Sequence, residues 1–317
     1  MRKYIFISIV LVAASITAGD DFGRAGVFLS MPVGWRQIGT GGCDIAVGGE
    51  PISGWYNPSS IQGMKGLRIN TGYSNLSLDR WFYYISGGWN INNDAAVALS
   101  WARADCENIP GRDISGNYTG ELKYSDNAIF LTFSKTVLGP ANEASSQIDL
   151  IAIGASLKYI QARLDDIETY IVGFDVGIYG NFFDDKLTVG LAYKNVGMKY
   201  LWESAEIYGT DHGSSSDEAI PPSIEVGAGF NLPWLPLTLT AEMDYSEYGG
   251  DSYRAGILTN PIEGASLAVG YDDGQMAFGA GYEYDLNFAR IGLGYSLKFE
   301  REGLAPRHTL DINLGIE

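Results

Sequence analysis

The residues able to do chemistry are few and unevenly placed. Two histidines occur in 317 residues, His212 beside Asp211 and His308 near the C-terminus. No serine or cysteine stands in a nucleophile motif near either, so covalent hydrolysis has no residues to run on. Three Gly-x-Gly runs, at 227–229, 279–281 and 292–294, resemble part of a phosphate loop, but no helical pattern follows any of them. They read as strand glycines. Asp211, Asp217 and Glu218 read as a solvated loop and not as a metal site, and no cofactor motif is present. The expectation is a protein that is not an enzyme.

What remains is a series of charges set into otherwise apolar alternation: Lys158, Asp175, Lys194, Glu225, Glu242, Asp244, Arg254, Arg290 and Asp311. Charges persist in a water-poor interior only when paired. Lys158, Asp175 and Lys194 fall on consecutive segments at the same parity, so one cross-strand cluster with Asp175 between the lysines is expected. It either neutralises itself structurally or serves as a polar path or a latch.

The segments carrying these charges have period two, which is the pattern of strands. Tyr170, Val172, Phe174, Val176 and Ile178 alternate with Ile171, Gly173, Asp175 and Gly177. The same plan recurs at Leu187–Lys194, Ile224–Asn231, Leu237–Tyr245 and Arg290–Lys298. A soluble sandwich also alternates, but its solvent face is rich in Lys, Thr and Glu and poor in glycine. Here the second face is mostly Gly, Ala and Ser, as a crowded lumen would be. The apolar face often finishes in an aromatic, at Tyr159, Tyr193, Phe230, Tyr245, Tyr271, Tyr282 and Tyr295, the place of an interfacial girdle. The fold class expected is all-β, a fourteen-stranded antiparallel transmembrane barrel.

The expected strands are 67–76, 81–91, 95–105, 126–136, 148–163, 168–180, 186–199, 223–232, 237–246, 252–259, 264–272, 275–284, 288–299 and 307–316. Their longest connections, 106–125 and 200–222, fall on one side as outer loops. Phe82, Tyr84 and Phe130 occupy inward parity on the irregular second to fourth strands, where they would line an apolar pocket.

Composition agrees. The 41 glycines are nearly twice the usual share of about 7%. With 21 Lys plus Arg against 38 Asp plus Glu, the net charge of −17 excludes a nucleic-acid partner, which needs a basic face. Arg2 and Lys3, an apolar run and then Ser15–Gly19 have the layout of a signal peptide over 1–18. Residues 19–66 do not alternate. They are expected to fold into the lumen of the 67–317 barrel as a plug or hatch, since a free tail would expose Phe22, Phe28, Trp35, Trp55 and Tyr56. Asn57-Pro58 suits a rigid turn that anchors it. Cys43 and Cys106 could form one bridge in an oxidising compartment, and two free buried thiols fit equally.

The stretch Trp35-Arg36-Gln37-Ile38-Gly39-Thr40-Gly41-Gly42, followed by Trp55-Tyr56-Asn57-Pro58-Ser59, resembles the N-terminal signature of FadL-superfamily outer-membrane proteins, especially the PorV/PorQ branch. Lys194-Asn195-Val196-Gly197, Ile220-Pro221-Pro222-Ser223-Ile224 and Pro306-Arg307-His308-Thr309-Leu310 are similar to later family segments. The family's aromatic-Asn-Pro-Ala becomes Tyr56-Asn57-Pro58-Ser59 here, and the chain ends in Glu317 instead of an aromatic. The resemblance implies a fourteen-stranded barrel with a hatch in the bacterial outer membrane, surrounded by outer-membrane lipid. It implies transport of a hydrophobic small molecule or, alternatively, a type IX secretion role with secretion-system proteins or exported cargo as partners. It also implies that Gly41, Gly42, Asn57 and Pro58 anchor the hatch.

Overall fold

The computed structural model describes residues 25–91, 94–139, 148–205, 214–246, 250–301 and 303–316. The expected signal peptide and His212 lie outside the described residues. The strands are β1 (Leu67–Leu76), β2 (Arg80–Ile91), β3 (Ala95–Arg112), β4 (Tyr118–Leu138), β5 (Ile148–Leu164), β6 (Ile167–Phe182) and β7 (Leu187–Val196). Then come β8 (Lys199–Glu203), β9 (Ser215–Ala219), β10 (Ser223–Asn231), β11 (Leu237–Ser246) and β12 (Gly250–Ile262). The last are β13 (Ala265–Asp272), β14 (Gln275–Leu286), β15 (Ala289–Lys298) and β16 (Arg307–Ile316).

Fourteen of these close into one antiparallel barrel, with β1 paired to β16 and β7 paired directly to β10. The wall begins at Leu67, opposite Ile316, on what is called here the lower rim. Alternation sets the two faces. Tyr170, Val172, Phe174 and Ile178 point outward and are 48–59% exposed, while Ile171 is 7% and Asp175 0% exposed between them. An apolar belt of this kind around a closed barrel is a surface that lipid solvates.

Two expected loops are built otherwise. Most of 106–125 is strand: β3 and β4 continue as a long hairpin whose tip is 113–117. The extension is irregular, with a register shift between Cys106 and Ile109 and Asn108 at φ 56°, which is why its alternation is weak in the sequence. At the tip the Asp113 carboxylate accepts from the Asn117 side chain and from the Ser115 and Asn117 backbone. Those bonds hold it below the usual carboxylate range. The second loop, 200–222, carries the hairpin β8–β9, a separate two-stranded sheet. β7 stops at Val196 because Asn195 (φ 60°) and Gly197 (φ 74°) turn the chain out of the ladder.

Residues 27–63 fill the lumen. They form α1 (Trp35–Gly39) and 3-10 turns at Val27–Ser30, Pro51–Trp55 and Pro58–Gly63. Val33, Ile38, Ile45, Ile52 and Ile61 are each 0% exposed, worth about 1.5–3 kcal/mol apiece for a fully buried aliphatic side chain. Cys43 and Cys106 are both free thiols.

Candidate functional site

The wall is cut to receive the hatch. Along the hatch, glycines face each other across neighbouring strands at Gly154–Gly177, Gly190–Gly227, Gly256–Gly270 and Gly281–Gly294. A piece of the hatch sits on each. A Cβ at Gly177 would strike the Asn57 carboxamide, and one at Gly154 the Pro58 backbone. At Gly190 it would strike Ile45, at Gly270 the Gly41 backbone, and at Gly294 the Trp35 ring. The lumen face is glycine-rich because backbone and rings of the hatch occupy the space a side chain would need.

Polar bonds fix this seating. Asn57 donates to the Ile45 carbonyl (2.9 Å) in the hatch and the Ile178 carbonyl (3.1 Å) in β6. Its carboxamide oxygen accepts from the Ser59 backbone and hydroxyl, capping the turn that Pro58 opens. Glu242 accepts from the Asp44 and Ile45 N–H groups, each at 3.2 Å, and Asp311 accepts from the Trp35 N–H. Gly41 and Gly42, at φ 75° and 93°, take left-handed conformations that let the chain turn against β13. Within the hatch, Arg36 lies 3.2 Å from Asp44 and 3.6 Å from Glu50. Burial raises the Asp44 carboxyl above its usual range, and Arg36 opposes that rise.

The inward charges form pairs along the wall. Lys158 meets Asp175 at 2.6 Å and donates to the Asn195 side chain at 2.8 Å. Lys194 does not complete the expected trio: it pairs with Glu225 at 2.9 Å, while Asp175 accepts from the Asn195 N–H instead. The turn at Asn195 puts a backbone donor where the second lysine was expected. Arg254 gathers Glu242 (2.8 Å), Asp272 (3.3 Å) and Asp244 (3.6 Å), and Lys298 joins Asp272 at 2.6 Å. Arg290 stands apart near the lower rim, half-buried beside Asp285 at 2.5 Å. Asp272 and Lys298 share the inward parity of the other charges, each at the end of its strand, and join the network through Arg254.

Phe82, Tyr84 and Phe130 are buried, as inward parity implies, and a ring of the hatch packs among them. Trp55 of the hatch packs against Phe130 with ring centroids 4.8 Å apart and against Phe82 at 6.0 Å, and Phe28 adds a contact at 6.3 Å. The space expected for a ligand is filled by a large ring from the same chain. Open space is found elsewhere along the hatch. A cavity of about 340 Å³ sits at the upper rim between the hatch and the charged wall. Its lining combines the apolar Val27, Leu29, Met31, Ile220 and Leu304 with the charged Lys194, Glu225, Arg254, Asp272, Lys298 and Arg307. Among the described residues no group of His, Cys, Asp and Glu is arranged to hold a metal ion.

No protein-family model matches the sequence, and no curated protein is similar to it in sequence. Among solved structures, the Pseudomonas putida toluene transporter TodX is 14% identical, with 89% of this chain and 96% of that chain covered and a TM-score of 0.58. The CymD monoaromatic hydrocarbon channel is 12% identical, with 89% and 97% covered and a TM-score of 0.62. The chain has the barrel fold of these channels. That likeness lends nothing to the PorV/PorQ branch or to a secretion role.

Proposed function

We propose that this protein is a channel of the bacterial outer membrane that passes small hydrophobic molecules, with residues 19–66 as its hatch. The carrying observation is the cavity at the upper rim, whose hatch side is built from Val27, Leu29 and Met31, whereas along β2–β4 the hatch ring of Trp55 packs against Phe130. The hydrocarbon channels of the same fold support the reading. The hatch gates the path: Asn57, Gly41 and Gly42 anchor it, and Glu242 and Asp311 are latches that hold backbone N–H groups and can release them without any covalent change. Cells making the protein should accumulate an uncharged arene such as tert-butylbenzene faster than cells without it, and the protein should fractionate with outer-membrane lipid. Equal accumulation with the protein correctly inserted would refute the channel.

A further inference from the structure

Four residues form a row along the upper rim of the cavity. Leu76 lies opposite Arg80 across β1–β2, and Lys298 lies opposite Arg307 across β15–β16. β1 and β16 run side by side with Asn75 opposite His308, so the register sets Leu76 next to Arg307. Arg80, Leu76, Arg307 and Lys298 all line the same cavity. Three cations in one row are unusual in a chain of net charge −17.

The three are not equivalent. Lys298 is neutralised by Asp272 at 2.6 Å. Arg307 is 1% exposed, donates to the Ser74 hydroxyl at 2.9 Å and lies 5.8 Å from the centre of the Phe82 ring. Its Nε has no partner, and among the described residues no carboxylate stands within 4 Å of it, although Glu300 lines the same cavity. A buried guanidinium without a carboxylate is expensive, and its planar fork matches that group in particular. The polar half of the cavity is therefore short of one anion.

We infer that the cavity takes a compact monocarboxylate with an apolar body, its carboxylate on Arg307 and Arg80 and its body against Val27, Met31 and Leu304. The volume of about 340 Å³ is near the lower end of small-ligand pockets, which favours a ring or a branched body over a long chain. This rests on the channel reading and narrows its substrate.

The test measures binding of radiolabelled 4-tert-butylbenzoate and of tert-butylbenzene to the full chain in lipid nanodiscs, with empty nanodiscs as background. Arg307→Met should weaken the benzoate at least tenfold while the hydrocarbon still binds, and Arg307→Lys should fall between. If Arg307→Met does not fold, Arg80→Met at the half-buried rim position should show the same selective loss. Benzoate binding unaltered in the folded variants, or binding of the hydrocarbon alone, overturns the inference and leaves the channel standing. Binding of neither compound to well-folded protein removes the channel reading itself.

Discussion

The hatch meets two unlike walls. Along β2–β4 it presents Trp55 to Phe82 and Phe130, and ring packing leaves no room between them. Along β10–β16 it presents backbone N–H groups to Glu242 and Asp311, and ion pairs leave a cavity beside it. Apolar rings close a gap by adjusting tilt, because their attraction is nearly non-directional. Ion pairs hold fixed distances and must satisfy every donor, so they leave space that another molecule can complete. One wall is packed with rings and the other leaves a cavity.

The comparison breaks most sharply at Trp55. Trp55→Ala should cost about 3–5 kcal/mol, as truncating a buried aromatic does, read as a lower urea midpoint in micelles. An unchanged midpoint would mean the rings do not seal. Asp175→Ala should cost on the order of 3 kcal/mol by stranding a buried lysine. Adding Lys158→Met should recover much of that loss, whereas Lys194→Met should not, because Lys194 has Glu225. The reverse pattern would restore the trio expected from parity. Gly177→Val should overpack the Asn57 seat for about 1–3 kcal/mol and raise leakage through reconstituted barrels; a tight barrel of normal stability would show that the seat is roomier than its geometry. Smallest of all, Asp113→Ala at the exposed tip of β3–β4 should leave the unfolding midpoint where it is, with any sizeable shift tying that hairpin to the core.

Much of this was legible in the sequence, and the gaps have physical causes. Parity alone put Val172 and Phe174 outside and Asp175 inside, because a strand must alternate. Glycine-rich inward positions announced a crowded lumen. What parity does not carry is register, and only register shows that Gly281 faces Gly294 and that together they seat Trp35. Parity misplaces the partner of Lys194 for a related reason: the turn at Asn195 shifts the ladder, and its signal is a single residue at φ 60°. The sequence shows Arg307 as part of a motif and not as a site, since which carboxylates reach it depends on distant strands. The hairpin β8–β9 stayed hidden because Ser215, Ser216, Asp217 and Glu218 have no apolar face to alternate.

The central claim is that a ligand enters on the charged wall and not among the rings. Crystals of the protein soaked in iodobenzene would locate the iodine by its anomalous signal. The account predicts a peak in the upper cavity beside Val27, Met31 and Leu304. A peak between Phe82 and Phe130, with Trp55 displaced, would contradict it.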